Sequence, residues 1–324
     1  MVTNVARTED EVPEIQPADE GRHVPDPDIE LWNESYYLDW FAADGSVGGY
    51  VRIGFAPNLG TVLYWACLVE PGGPLVTVIE NEVPIPASPT SLEVRHDGLW
   101  ADHVVEEPNQ RMVCHLEAFG LSLEDPAEVY REGYGDRVPF GFELEWQTDR
   151  NGYQWPPFTP RYEIPCRVTG EVLVGDRRIE VDGWGQRDHS WGAARDWWTN
   201  RWHWSAGRLE DGTRWHTAGS FENLAEGTSL DGFGVGYVLP PGSSTFEEHL
   251  ELSMEPVVGR EGFIDEARLL VGELDLRVEP LAWSPVLLRH PDGRLDRFPR
   301  ALARFAHIDG RTGHGWVEWN QPQL

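Results

Sequence analysis

The chain has 324 residues and a formal net charge of −29, from 26 basic and 55 acidic side chains. Such a field repels nucleic acid and anionic membrane surfaces, so neither is an expected partner. All 26 basic residues are arginine, and the absence of lysine excludes a Schiff-base lysine, the usual pyridoxal-phosphate chemistry and a phosphate-binding P-loop.

Residues 1–28 carry four prolines and many acids with little to bury, which predicts a disordered or loosely draped acidic tail. This segment has no secretory leader, and no later apolar run is long enough to span a membrane, so the cytoplasm is the expected compartment. From Ile29 onward the pattern becomes short apolar runs cut by turn dipeptides. WNESYY (Trp32–Tyr37) reads as a first strand that puts Trp32, Glu34 and Tyr36 on one face. Further strands are predicted at Gly49–Phe55, Thr61–Val69, Leu75–Ile79, Val113–Leu116, Arg167–Val174, Arg201–Leu209, Thr213–Phe221, Phe233–Leu239 and Ala301–Ile308. Glu247–Met254 also alternates and reads as strand. Asp-Gly occurs seven times, beginning at Asp44, Asp97, Asp182, Asp211, Asp231, Asp292 and Asp309, and it supplies the positive φ of tight hairpins. The pattern predicts an antiparallel all-β protein. Tyr153–Pro165 holds four prolines in thirteen residues, which predicts a boundary there between two β-barrels or sandwiches, 29–160 and 161–324. Cys67, Cys114 and Cys166 match no metal or redox spacing and read as reduced core thiols.

Seven of the sixteen tryptophans fall between Trp184 and Trp215, interleaved with Arg187, Asp188, His189, Arg195, Asp196, Arg201 and His203. An acid walled in by indoles loses solvation and stays protonated near neutrality, so Asp188 can protonate an alkene or a leaving hydroxyl. Trp184 and Trp191 can then face the developing cation. The alternative is a structural network in which Asp188 accepts bonds from Arg187 or Arg195. Adjacent strand residues face opposite sides, so Asp188 and His189 share a cavity only if the strand turns or bulges. Glu34, between two aromatics, is a second proton-transfer group or hydroxyl anchor, and Glu318 between Trp316 and Trp319 is a weaker candidate of the same kind. A two-residue turn at Asp211-Gly212 would place His216 opposite Gly207 and His203 on the same face roughly 13 Å away. That spacing is too far for one ion, so no metal is expected. Trp202, Trp204 and Trp215 would then share the other face, leaving His203 and Ser205 toward a cavity wall.

Within VDGWGQRDHSWGAARDW, Gly183, Asp188, His189, Trp191 and Gly192 follow the spacing G-x-x-x-x-D-[HR]-x-W-G. The block resembles that of the two-domain lipocalin-like family containing carotenoid 1,2-hydratases, AttH-type proteins and some Diels–Alderases. Trp32–Tyr37 and the late Asp309–Trp319 resemble segments of an uncharacterised bacterial branch of that family. The resemblance implies two lipocalin-like antiparallel β-barrels packed side by side, with a ligand cavity at or near their interface. It leaves the reaction open, because the fold hosts hydratases, cyclases and proteins without catalysis.

The resulting expectation is a cofactor-independent acid–base enzyme, a hydratase/dehydratase or an isomerase/cyclase, acting on a hydrophobic terpenoid-, steroid- or polyketide-like substrate. Asp188, His189 and Glu34 are the expected proton-transfer residues. Trp32, Tyr36, Trp184, Trp191, His203 and Trp204 are the expected substrate contacts. No dinucleotide fingerprint is present, so no organic cofactor is expected. A non-catalytic lipophile carrier is the main competing reading, and a carbohydrate-active protein the lesser one.

Overall fold

Asp-Gly pairs mark the places where the chain reverses. A computed structural model describes residues 7, 12–131, 133, 135–157, 159–220, 234–290 and 292–323. In it Gly45, Gly98, Gly212, Gly293 and Gly310 take positive φ between strands, a conformation that glycine adopts without a Cβ clash. At four of these turns the aspartate carboxylate accepts the N–H two residues on: Ser46 to Asp44, Thr213 to Asp211, Arg294 to Asp292 and Arg311 to Asp309. Asp231 lies outside the described residues. Asp182-Gly183 is not a turn at all. It lies inside a strand, where a Cβ on Gly183 would stand 2.2 Å from the Phe41 carbonyl oxygen.

The strands form two antiparallel sheets. The first holds β1 (Glu34–Ala42), β2 (Gly48–Ala56), β3 (Thr61–Val69), β4 (Leu75–Pro84), β5 (Glu93–His96), β6 (Leu99–Glu107), β7 (Arg111–Leu123), β8 (Asp136–Thr148), β9 (Tyr153–Gln154), β10 (Arg161–Val174) and β11 (Arg177–Ser190). Its order is β4-β3-β2-β1-β11-β10-β8-β7-β6-β5, with β9 on β10, and a pairing of β4 with β7 closes it into a barrel. The second holds β12 (Trp202–Leu209), β13 (Arg214–Ser220), β14 (Gly234–Leu239), β15 (Glu247–His249), β16 (Leu252–Val258), β17 (Ile264–Val271), β18 (Leu274–Trp283), β19 (Val286–Arg289), β20 (Leu295–Phe298), β21 (Arg300–His307) and β22 (Thr312–Gln323). Its order is β15-β14-β13-β12-β22-β21-β18-β17-β16, with the β19–β20 hairpin against β22. The all-β, two-unit lipocalin-like architecture is therefore present, one unit closed and the other an open, curved sheet. No helix among the described residues is long and apolar enough to cross a membrane.

Three features differ from expectation. The change of sheet falls between Ser190 and Trp202, not at Tyr153–Pro165, because β9 and β10 both pair within the first sheet. Pro165 is tolerated there because it sits where β10 changes neighbour from β9 to β8, so its missing N–H interrupts no ladder. Glu247–Met254 is two strands, with Leu250 and Glu251 between them. The described part of the acidic segment is packed against the barrel and not loose. Ile15 is buried, and the Glu20 carboxylate receives Nη1 of Arg187 at 2.8 Å on both oxygens. Arg7 is tied to Glu248 on β15 at 2.7 Å. Composition misleads here because the acids that matter meet buried guanidiniums.

Packing puts the core in three layers. Tyr36, Leu38 and Trp40 of β1 point into the barrel, while Tyr37 and Phe41 point toward the second sheet. Strand β1 is consequently buried on both faces, which is why aromatic and aliphatic side chains occupy most of it and its few polar groups, Glu34, Ser35 and Asp39, are buried. Trp65, Trp197, Trp204 and Trp316 fill the layer between the sheets, and Trp215, Phe305 and Trp319 fill the second sheet's own core. All three cysteines are buried free thiols.

Gly183→Ala tests the close approach of β1 to β11. With backbone as the obstacle, the added methyl should cost roughly 1–3 kcal/mol, read as a lowered denaturation midpoint. Wild-type stability in this variant would show that the two strands can part without cost.

Candidate functional site

The antiparallel register assembles a row of side chains facing the second sheet. Trp65 pairs with Arg52, Arg52 with Tyr37, Tyr37 with Asp188, and Asp188 with Glu163. Directly paired residues share a face, so this row runs from β3 to β10 on the same side of the sheet. The second sheet supplies a row of its own, Arg300–Glu318–Trp204–Ala218, from β21 to β13.

Arg161, two residues before Glu163 on the same face, binds this row together. Its Nε donates to Glu163 at 2.8 Å and its Nη2 to Asp188 at 2.6 Å. Trp155 covers the guanidinium at 4.6 Å. The other Glu163 oxygen accepts from Gln186 Nε2 at 3.0 Å, and the Gln186 amide lies 3.1 Å from the Tyr237 hydroxyl. From the second sheet, Trp204 Nε1 donates to Glu163 at 3.4 Å, and His216 Nε2 stands 3.4 Å from the same oxygen. Burial pushes the Glu163 carboxyl well above the usual carboxylate range, against the opposing pull of Arg161, and raises Asp188 in the same way. Burial also holds His216 well below its ordinary value, so its imidazole is neutral. Two carboxyls on one guanidinium, beside a neutral imidazole and out of water, can hold and move a proton.

A second cluster lies behind the first, on the barrel side of β11. His189 stacks on Tyr36 at 3.9 Å, its Nδ1 donates to the Asp19 carbonyl at 2.7 Å, and its Nε2 meets Glu34 at 3.1 Å. His23 reaches the same carboxylate oxygen through Nδ1 at 2.7 Å and stacks on Trp191 at 4.1 Å. Burial opposes ionisation of Glu34, but the hydrogen bonds from His189 and His23 outweigh it and hold the carboxyl below its usual value. Among the described residues, His23, Glu34 and His189 are the one group that offers three metal-ligating atoms within 4.8 Å of one another. Those atoms already contact each other as hydrogen-bond partners, and together they pin the N-terminal segment to the barrel.

The predicted residues are thus divided. Asp188, Trp204 and the half-buried Trp184 face the second sheet, with Trp184 covered by Arg208 at 4.2 Å and Arg214 at 4.9 Å. His189, Glu34, Tyr36 and Trp191 belong to the barrel-side cluster. Trp32 is buried just before β1, where its backbone bridges to Ala194. His203 joins neither cluster. Leu209 hydrogen-bonds Thr213 across the β12–β13 reversal, leaving three residues, Glu210–Gly212, between the last pair, so His216 pairs with Ala206 and not with Gly207. One extra loop residue reverses every face. His216 therefore joins Trp204 between the sheets, while His203, Ser205 and Trp215 turn into the second sheet's core, where Trp215 Nε1 donates to Ser205 at 3.3 Å. Burial depresses the unpartnered His203 imidazole to about 3. Sequence reasoning passed over Arg161, Glu163, Gln186 and Tyr237, and weighed His216 only as a metal ligand beside His203. The spacing of Arg161 and Glu163 in RYEIPC was a usable signal, hidden by reading that stretch as a linker.

These raised carboxyls make stability depend on pH. Glu163, Asp188 and Glu318 bind protons in the folded chain that the unfolded chain has released above about pH 5. Their contribution is complete below the unfolded pKa and is lost as pH rises through the folded values; the buried neutral histidines give the opposite slope below about pH 7, so the melting temperature should fall between about pH 7 and about pH 9. Glu163→Gln, neutral throughout, should flatten that fall. A mutant profile parallel to wild type would show that Glu163 titrates normally.

Comparison with solved structures agrees with this architecture. A protein from Nitrosomonas europaea described as an AttH (NE1406) superposes with a TM-score of 0.63 at 15% identity, covering 95% of this chain and 97% of that one. Kievitone hydratase from Nectria haematococca superposes at 0.60 with 10% identity, covering 98% and 96%. CghA crystallised with Sch210972 superposes at 0.56 with 10% identity, covering 99% and 93%. At these identities the likeness establishes the fold. No curated protein matches the sequence. The family model described as a domain of unknown function, DUF7064, matches residues 16–323, and the chain belongs to that family.

Proposed function

We propose that the protein is a cofactor-independent acid–base enzyme. It adds water to, removes water from, or isomerises or cyclises a hydrophobic terpenoid-, steroid- or polyketide-like molecule held between the two sheets. The observation that carries this reading is the placement of Asp188 and Glu163 on the Arg161 guanidinium, out of water and against Trp155, Trp204 and His216. Desolvation keeps a proton on this carboxyl pair near neutral pH, and such a proton can go to an alkene carbon or a leaving hydroxyl. Indole faces stabilise the positive charge that then develops. When the reaction runs in the other direction, the ionised carboxyl of the pair takes that proton back. His189 and Glu34 act from behind the sheet as positioning residues that hold β11 and the N-terminal segment.

The likeness in fold to a hydratase supports the class of chemistry by analogy only. The tryptophans of the 184–215 block are buried or half-buried and packed against other rings and arginines, not spread along an open groove. That arrangement weighs against a sugar platform.

The test incubates wild type, Asp188→Asn and Glu163→Gln with a panel of terpenoid, steroid and polyketide alkenes and tertiary alcohols. Products are followed by gain or loss of one water and by isomer separation. Loss of the proton-transfer group should lower turnover by about 10²–10⁴-fold, with ligand affinity and melting temperature little changed. Unchanged turnover in a stable Asp188→Asn removes Asp188 from the mechanism. Activity that falls only in step with stability marks the network as structural, and binding without turnover in wild type identifies a carrier.

A further inference from the structure

Four guanidiniums, Arg52, Arg161, Arg195 and Arg300, share the layer between the sheets with the carboxyls of Glu163, Asp188, Glu318 and Asp39, and burial pushes all four carboxyls up, Asp39 well above the usual range. Arg161 is matched by Glu163 and Asp188, and Arg300 by Glu318 at 2.7 Å. Arg52 and Arg195 have no such match among the described residues. Arg52 donates only to the Asn33 side-chain oxygen, at 3.3 Å, and Arg195 only to the Ser190 hydroxyl, at 3.0 Å. Both stand against the same ring: Arg52 is 5.1 Å and Arg195 5.6 Å from the centre of Trp197, with Trp65 and Trp202 on their outer sides. Arg52 is buried, and its Nη1 has no hydrogen-bond partner; nor do Nε and Nη1 of the neighbouring Arg300. An unmatched cation in such a place is costly, because desolvation is not offset by an opposite charge. Burial, and after it the charges of Arg195 and Arg300, depress Arg52 to about 9. In a chain with 55 acidic residues and 26 basic ones, these two feel Asp188 and Glu318 only at a distance and have no carboxylate in contact among the described residues.

We propose that Arg52 and Arg195 bind the carboxylate of the ligand, so that the molecule taken between the sheets is an apolar acid rather than a neutral lipid. This deepens the functional reading above and rests on a ligand occupying that layer. The guanidinium forks and the unpartnered Nη1 of Arg52 offer the planar donors that a carboxylate accepts, and Trp197 packs beside them. The carboxylate end is then fixed by the row that also carries Asp188, one cross-strand neighbour beyond Tyr37. Binding sets which part of the apolar skeleton meets the proton-transfer pair.

Matched probes separate the charge from the skeleton. Retinoate and retinol, and farnesoate and farnesol, are titrated against the full chain by tryptophan fluorescence and by calorimetry. Each acid should bind wild type about tenfold or more tightly than its alcohol, as expected for a charge-assisted hydrogen bond. Arg52→Met and Arg195→Met should each reduce that preference while leaving alcohol affinity unchanged. Arg52→Met should also melt no lower than wild type, since it removes an unmatched buried charge while keeping an apolar stem. Should Arg52→Met fail to fold, Arg52 holds the structure and the proposal fails for it; the half-exposed Arg195 then gives the independent reading. Equal affinity of acid and alcohol for wild type overturns the carboxylate site but leaves an apolar ligand intact. A preference that survives both substitutions overturns the assignment to these residues. Failure of every probe to bind overturns this inference together with the reading it rests on.

Discussion

Arg161 lies between two carboxyls, 2.8 Å from Glu163 and 2.6 Å from Asp188, in a layer closed to water by a second sheet. Burying three ionisable groups is unfavourable unless each finds geometry good enough to offset its lost hydration. That requirement explains why both sheets contribute. β10 and β11 bring the charged groups together through their pairing, while Trp204, His216 and Tyr237 arrive from the second sheet to meet Glu163 and Gln186. Without the second sheet the cluster would be an ordinary solvated patch with normal carboxyl values. The shifted protonation is therefore a property of the docked pair.

Strand β11 separates two different environments. Gln186 and Asp188 face the intersheet layer, whereas Arg187 and His189 face the barrel, where they engage Glu20, Glu34 and Asp19 of the N-terminal region. The segment preceding β1 thus grips the same strand that presents Asp188, from the opposite side. A displacement of the N-terminal segment would be felt by β11 through Tyr36 and His189, which are cross-strand partners and stack at 3.9 Å. The adjacent Asp and His of the motif serve separate clusters because the strand does not bulge there.

Exclusive use of arginine suits this interior. Guanidinium planes lie against Trp65, Trp155, Trp184, Trp197 and Tyr50, a contact in which a planar, weakly hydrated cation loses less on leaving water than an ammonium would. Aromatic density and arginine density therefore support each other in the layer between the sheets. Acidic side chains dominate the overall charge, but in this layer burial pushes the carboxyls of Asp39, Glu163, Asp188 and Glu318 toward their neutral form, which leaves the arginines as the prevailing charge.

Much of this was legible in the sequence, for local reasons. Strand β3 was read with its observed bounds, Thr61–Val69, because a short apolar run and its bounding turn residues are written in consecutive positions. Asp-Gly turns were readable in the same way, except Asp182-Gly183, where the glycine answers to a neighbouring strand. The buried acid Asp188 and its aromatic surroundings were legible because tryptophan density announces enclosure. His216, Glu163 and Arg161 were not legible as partners. Their contact depends on which faces of two sheets meet, and on a loop of three residues where two were assumed. The sequence by itself determined the all-β character, strands such as β2, β3 and β12, most of the described Asp-Gly turns and the enclosed character of the tryptophan block, since these follow from residues close along the chain, whereas β6, β8, β11, β17, β18 and β22 were not among the predicted strands. Only the tertiary structure decided which side chains share a face, which acid meets which arginine, and that Asp188 and His189 look in opposite directions. Register and docking are properties of strands far apart in sequence, and a slip of one residue reverses them.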